Sequence, residues 1–90
     1  MKNVFILLIT LIFLMVNRCY AANTAAMLQY NQGIDYYKIG QYDDAISCFR
    51  TAIRLDPNYI DAYYNLGALL EYLEQYDAAL SVFKQVIVRK

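Results

Sequence analysis

The sequence predicts an all-α fold of two tandem helix-turn-helix hairpins stacked into an αα superhelix, the second hairpin cut short. Three observations predict it. The stretch Gln41–Arg50 returns 34 residues later as Gln75–Lys84, with six positions identical. Over 31 pairs compared at that offset ten are identical, among them Tyr30/Tyr64, Asn31/Asn65, Gly33/Gly67 and Ile53/Ile87. A fixed period of this length marks stacked supersecondary units. Within each unit, small or apolar residues recur every three or four positions, which is helical spacing. Short polar breaks at Gly40, at Asp56-Pro57-Asn58 and at Glu74-Gln75 separate the helices.

The first predicted helix runs from Ala26 to Ile39 and carries Leu28, Gly33, Tyr36 and Ile39 among small or apolar residues that return every three or four positions. Gly40 can take the left-handed backbone that ends such a helix. The second helix runs from Tyr42 to Leu55. Asp43 and Asp44 sit in its first turn and Arg50 and Arg54 toward its end, as the helix dipole favours. Ala45, Ile46, Phe49, Ala52 and Ile53 form its apolar stripe. Pro57 then disfavours helix at Asp56, and Asn58 is placed to cap the next helix. That helix reaches about Leu73, with Leu66, Leu69, Leu70 and Leu73 on its apolar face. The last helix, Tyr76 to Val88, repeats the stripe as Ala79, Leu80, Phe83 and Ile87. Each connection is short, so successive helices must pack antiparallel.

Gly33 and Gly67 lie inside helices, where glycine costs about 1 kcal/mol relative to alanine. That cost makes sense where a neighbouring helix passes too close for a side chain. Ala45 and Ala79 are expected to supply the facing small surface, with Phe49 and Phe83 filling the space beyond.

Ninety residues bound the chain to one small domain, and its formal net charge is zero. The basic footprint of a nucleic-acid binder is missing, and the chain is too apolar for disorder. Histidine, the commonest general base and metal ligand, is absent. No catalytic set, metal spacing or phosphate loop is legible. Asp43-Asp44 resembles a carboxylate pair, but adjacent residues do not share a helix face. Ser47 and Ser81 have no histidine to activate them. No catalytic residue, cofactor site or metal site is expected.

The first stretch has the character of an address. Lys2 gives a positive start, and Val4 to Val16 runs apolar except for Thr10. As helix, thirteen residues span about 20 Å, short of the roughly 30 Å hydrocarbon core. This matches the apolar region of a secretory signal, with small residues at Cys19 and Ala21 suited to cleavage after Ala21; cleavage after Ala22 is the alternative, with bulky Tyr20 in the small-residue position. Two rivals are an uncleaved membrane anchor and lipidation at Cys19. Cleavage would leave residues 22–25 as a short linker and a mature chain with six basic side chains against eight acidic ones. Cys48 would then be the lone cysteine. Its repeat partner is Val82, so it is expected to pack as a small apolar residue; pairing with another chain is the alternative.

These features together resemble the tetratricopeptide repeat family. Its pattern is an aromatic, a leucine-glycine pair, a tyrosine, an alanine, a phenylalanine and a proline within 34 residues. The first unit, 26–59, shows Gly33, Tyr36, Ala45, Phe49, Ala52 and Pro57; the second, 60–90, shows Tyr63, Leu66, Gly67, Ala79 and Phe83. Gln29 and Gln32 replace the first unit's aromatic and leucine, as suits an end unit facing water. Leu70 and Val86 replace the second unit's tyrosine and alanine. The second unit is three residues short of its 34. A longer array, self-association and marginal stability are the readings of that shortfall.

The resemblance implies a non-catalytic module whose concave groove holds a peptide or partner helix. Carried over residue by residue, the groove set is Tyr30, Asn31, Ile34, Tyr37 and Lys38, then Tyr64, Asn65, Ala68, Glu71 and Tyr72. Tyrosine buries a large rigid area and keeps a polar tip, and asparagine can bond a ligand's backbone as donor and acceptor. The alternative is that the tyrosines fill space between units. Tyr30 and Ile34 stand where a carboxylate-gripping member has lysine and asparagine, so that subclass is not implied. The expected partner is a protein or peptide, with homo-oligomerisation as a further possibility. The expected location is periplasmic or secreted, or membrane-anchored if the signal stays. The repeats could also be an accessory part of a larger envelope protein.

Overall fold

The computed structural model describes residues 2–89, and among them there are four helices: α1 (Lys2–Lys38), α2 (Tyr42–Leu55), α3 (Ile60–Tyr72) and α4 (Tyr76–Arg89). α1 pairs with α2, α3 pairs with α4, and α2 packs on α3. The two tandem hairpins expected from the repeat are therefore present.

α1 begins far earlier than the expected Ala26. It is continuous over 37 residues, so the expected 22–25 linker is helical. The local cause is visible in the sequence. No glycine or proline interrupts residues 2–32, and Ala21, Ala22, Ala25 and Ala26 are the strongest helix formers. The apolar run from Val4 to Val16 extends away from the hairpins and is exposed throughout.

The two hairpin turns share one geometry. Gly40 has φ +80°. Its N–H donates to the Tyr37 carbonyl at 3.1 Å, and the Gln41 N–H donates to the Tyr36 carbonyl at 2.9 Å. This pair of bonds is the Schellman termination. Thirty-four residues on, Glu74 takes the same left-handed conformation at φ 64°. There the Glu74 N–H donates to Glu71 at 2.9 Å and the Gln75 N–H to Leu70 at 2.8 Å. α1 ends at Lys38 rather than Ile39 because this motif closes over its last turn.

Between the units, Asn58 does not cap α3 as expected. The N-cap position is Tyr59, with no side-chain capping bond. Asp56 Oδ1 instead accepts the Asn58 N–H at 3.1 Å. Asp56 can do this because Pro57 forces the chain to turn within reach of its carboxylate. The Tyr63 hydroxyl donates to the Pro57 carbonyl at 2.8 Å and ties the turn to α3.

The core holds Ala45, Phe49, Leu66, Leu69, Leu70 and Ala79. Ala26, Ala52, Ala62, Tyr63 and Val86 are also buried. Both helical glycines are buried, as their cost predicted. What presses on them differs from expectation. A Cβ on Gly33 would lie 2.7 Å from Phe49 Cε1, and one on Gly67 would lie 2.6 Å from Phe83 Cε1. The atoms nearest each missing side chain belong to the phenyl rings rather than to Ala45 and Ala79. A flat ring needs the whole gap, so only a missing side chain makes room. Leu28, Leu80 and Ile87, expected on inner faces, are exposed.

Candidate partner-binding groove

A cleft opens between the first helices of the two units, floored by α2. Its walls are Ile34, Tyr37 and Lys38 from α1 and Asn65, Ala68, Leu69 and Tyr72 from α3, with Phe49 beneath. Its volume is about 270 Å³. That lies just under the roughly 300 Å³ at which small-molecule pockets begin, and suits a side chain or two. The lining is mostly apolar, and Asn65, Lys38 and the phenols of Tyr37 and Tyr72 are its polar residues.

Six of the ten residues expected to form a groove line this cleft: Ile34, Tyr37, Lys38, Asn65, Ala68 and Tyr72. Tyr30, Asn31, Tyr64 and Glu71 do not line it. Tyr30 is half-buried between units. Its ring centroid lies 5.1 Å from that of Tyr59 and 5.8 Å from that of Phe49. Its hydroxyl accepts the Asn65 Nδ2–H at 2.6 Å. Tyr30 therefore fills the space between repeats, and it also positions Asn65. The carbonyl oxygen and second amide hydrogen of Asn65 stay open to a ligand. Asn31 and Glu71 are exposed. Tyr64 is exposed beside Phe83, centroid to centroid 6.2 Å, at the open side of the second unit.

A run of aromatic rings adjoins the two tyrosines of the cleft walls. Tyr42 lies 5.8 Å from Tyr37 and 5.6 Å from Tyr72. The neighbouring Tyr72 phenol, then partial burial and the Tyr37 phenol, raise the Tyr42 hydroxyl above its ordinary value. Sequence reasoning missed Phe49 and Leu69 as lining residues, and it missed Tyr42 as the neighbour of Tyr37 and Tyr72. The signal for Tyr42 was its identity with Tyr76 one period on. Its place follows from the tight turn at Gly40, which returns α2 beside the end of α1. Phe49 and Leu69 were read as core, and they are buried; they reach the cleft only as its floor.

Cys48 is buried and unpaired. Burial, and then the Asp44 carboxylate, raise its thiol above the ordinary value. It packs as the small apolar residue its repeat partner Val82 implied.

Comparison with known proteins places this geometry. A family model described as TPR repeat matches residues 33–73, and one described as tetratricopeptide repeat matches residues 60–87. The TPR repeat-containing protein MJ1428 of Methanocaldococcus jannaschii is 33% identical over 58 residues, which is 64% of this chain and 10% of that protein. The chloroplastic tetratricopeptide repeat domain-containing protein PYG7 of Arabidopsis thaliana is 32% identical over 56 residues, 62% of this chain and 19% of that one. The crystal structure of MamA superposes with a TM-score of 0.69 at 31% identity, covering 74% of this chain and 40% of that one. The chain thus spans less than a fifth of the length of these two curated relatives.

Proposed function

We propose that this chain, which carries tetratricopeptide repeats across residues 33–87, is a non-catalytic protein-binding module that is exported from the cytoplasm. The repeats themselves speak for protein–protein interaction. The cleft receives one or two apolar side chains of a partner peptide or helix. Tyr37 and Tyr72 grip them from either wall, and Asn65 bonds the partner's backbone. The observation that carries the reading is the Tyr30–Asn65 bond. It holds the amide at the cleft wall with one N–H donor spent and the other donor and the carbonyl oxygen left over. A preset polar group in an apolar cleft fixes a ligand's orientation at little entropic cost.

The test is photo-cross-linking in the cell of origin, with a photoreactive residue at Ala68, which is exposed and lines the cleft. The expected result is an adduct with one defined segment of another polypeptide, lost with Tyr72→Ala. No polypeptide adduct, or one indifferent to Tyr72, overturns the proposal. The export reading rests on Lys2, the apolar run to Val16 and the small residues at Cys19 and Ala21. N-terminal sequencing of the protein recovered from envelope fractions checks it. A mature start at Ala22 supports cleavage, and a start at Met1 makes the segment an anchor.

A further inference from the structure

Charge in the repeats is sorted by edge. The short connections make α2 and α4 run parallel to each other and antiparallel to α1 and α3. One edge therefore holds both hairpin turns. The other holds the 56–59 turn, the C-terminal ends of α2 and α4, and the point where α1 runs on into its apolar segment. The hairpin-turn edge carries Asp35, Asp43, Asp44, Glu71, Glu74 and Asp77, all exposed, against Lys38. The opposite edge carries exposed Arg50, Arg54 and Lys84, with Arg18 further out on α1. The acids there are Asp61 and Asp56, and the half-buried Asp56 carboxylate accepts the Asn58 N–H. Helix dipoles favour acids in first turns and bases in last turns, which covers Asp43, Asp44, Asp77 and Arg54. They do not cover the rest. Asp35 and Glu71 lie at helix C-terminal ends, where the dipole disfavours them, and Arg50 and Lys84 lie more than a turn from an end. The sorting follows the edge, whichever way the helix runs. Arg50 and Lys84 also share one outer face, since Ser81 and Gln85 lie beside both.

We infer that this basic edge rests on an anionic phospholipid surface, with the apolar run Val4–Val16 inserted beside it. The run leaves from the same edge on the unbroken α1 and is exposed throughout. Stable attachment to a bilayer takes two signals, an apolar one and a cluster of cations. Each Lys or Arg near an anionic surface adds about fivefold to binding. Arg18 at the headgroups places Ala26 about 12 Å above them along α1. A tilt of α1 then brings Arg54 and Lys84 within the Debye length of about 8–10 Å. An acidic protein would match the cations but not the apolar run at the same edge. The cleft residues Tyr37, Lys38 and Tyr72 lie toward the other edge and stay open to solution. The inference is independent of what fills the cleft, and it shares with the export reading only the N-terminal segment.

The test uses the full chain in nanodiscs, with Cys19→Ser and Cys48→Val so that a single introduced cysteine carries a fluorophore. The quencher is a lipid with a nitroxide headgroup. With the label at Asn58→Cys, on the basic edge, quenching is expected to be several-fold stronger in discs of equal parts phosphatidylcholine and phosphatidylglycerol than in discs of phosphatidylcholine alone. With the label at Gln75→Cys, on the hairpin-turn edge, neither disc quenches. Arg50→Glu, Arg54→Glu and Lys84→Glu together abolish the difference between discs, and added salt does the same. Asp43→Asn with Asp77→Asn leaves it unchanged. All these positions are exposed, and circular dichroism verifies that helicity is kept. Should the triple reversal lose helicity, Arg50→Gln with Lys84→Gln is expected to reduce the difference without adding negative charge. Equal quenching in the two discs, quenching at Gln75→Cys, or indifference to the charge changes overturns the inference. So does a basic edge that binds polyglutamate and ignores the anionic discs, because the occupant is then an acidic polypeptide. Quenching reads the edge and N-terminal sequencing reads the segment, so the inference and the export reading fail separately.

Discussion

The ring of Phe49 lies against the backbone of Gly33, its Cε1 2.7 Å from the point where a Cβ would stand. Phe49 is 1% exposed, so its ring has nowhere to retreat. At Gly67 the same clash is with Phe83, which is only half-buried. The two equivalent glycines therefore differ in tolerance. Gly33→Ala is expected to destabilise by about 1–2 kcal/mol, because overpacking outweighs the gain in helix propensity. Gly67→Ala should cost less, since Phe83 can tilt into open space. Urea unfolding of both variants checks the order, and equal losses would contradict this account.

Tyr30 and Tyr64 also occupy equivalent sites with unequal partners. Tyr30→Phe removes the acceptor of the Asn65 amide and should cost about 1 kcal/mol. Tyr64→Phe should change stability by less than about 0.5 kcal/mol, as for an exposed site. Thermal melts of the two variants, compared with Asn65→Ala, test this.

Glu74 holds a left-handed backbone where the first unit has Gly40. That conformation costs a residue with a Cβ about 1–2 kcal/mol, against which glycine loses more chain entropy. Glu74→Gly is expected to raise stability by about 0.5–1 kcal/mol. An unchanged or lower melting temperature would contradict the assignment.

Three groups give the alkaline limb of stability a definite sign. Tyr42 is raised by the neighbouring Tyr72 phenol. Cys48 is raised by burial and Asp44. Tyr59 is raised by burial and then by Tyr30, Asp61 and Asp56. In each case the folded chain holds its proton more tightly than the unfolded chain. The stability these groups contribute is complete below their unfolded values. It is lost as pH rises above those ordinary values and through the raised values of the folded chain. Urea midpoints should therefore fall above about pH 9, and Cys48→Ala with Tyr42→Phe should flatten that fall. The Cys48 thiol should also react with alkylating reagents far more slowly in the folded than in the unfolded chain, as its burial requires.

The 34-residue echo, the helical spacing and the position of Gly40 determined the hairpin order, the Schellman turn and the burial of both helical glycines from sequence alone. Those features are local or periodic, so neighbouring residues along the chain carry their cause. Tertiary structure alone decided which atoms fill the gap at Gly33, because Phe49 and Ala45 lie one turn apart on the same face and either could have reached it. It also separated Tyr30 from Tyr64. The two are identical in type and in repeat position, yet one is locked to Asn65 and the other stands free, because only the first has a following helix packed over it. Asn58 failed as a cap for a related reason: Pro57 folded the turn so that Asp56 reached the backbone first. A repeat specifies the shape of each unit, but a residue's role depends on which neighbours the stack brings to it.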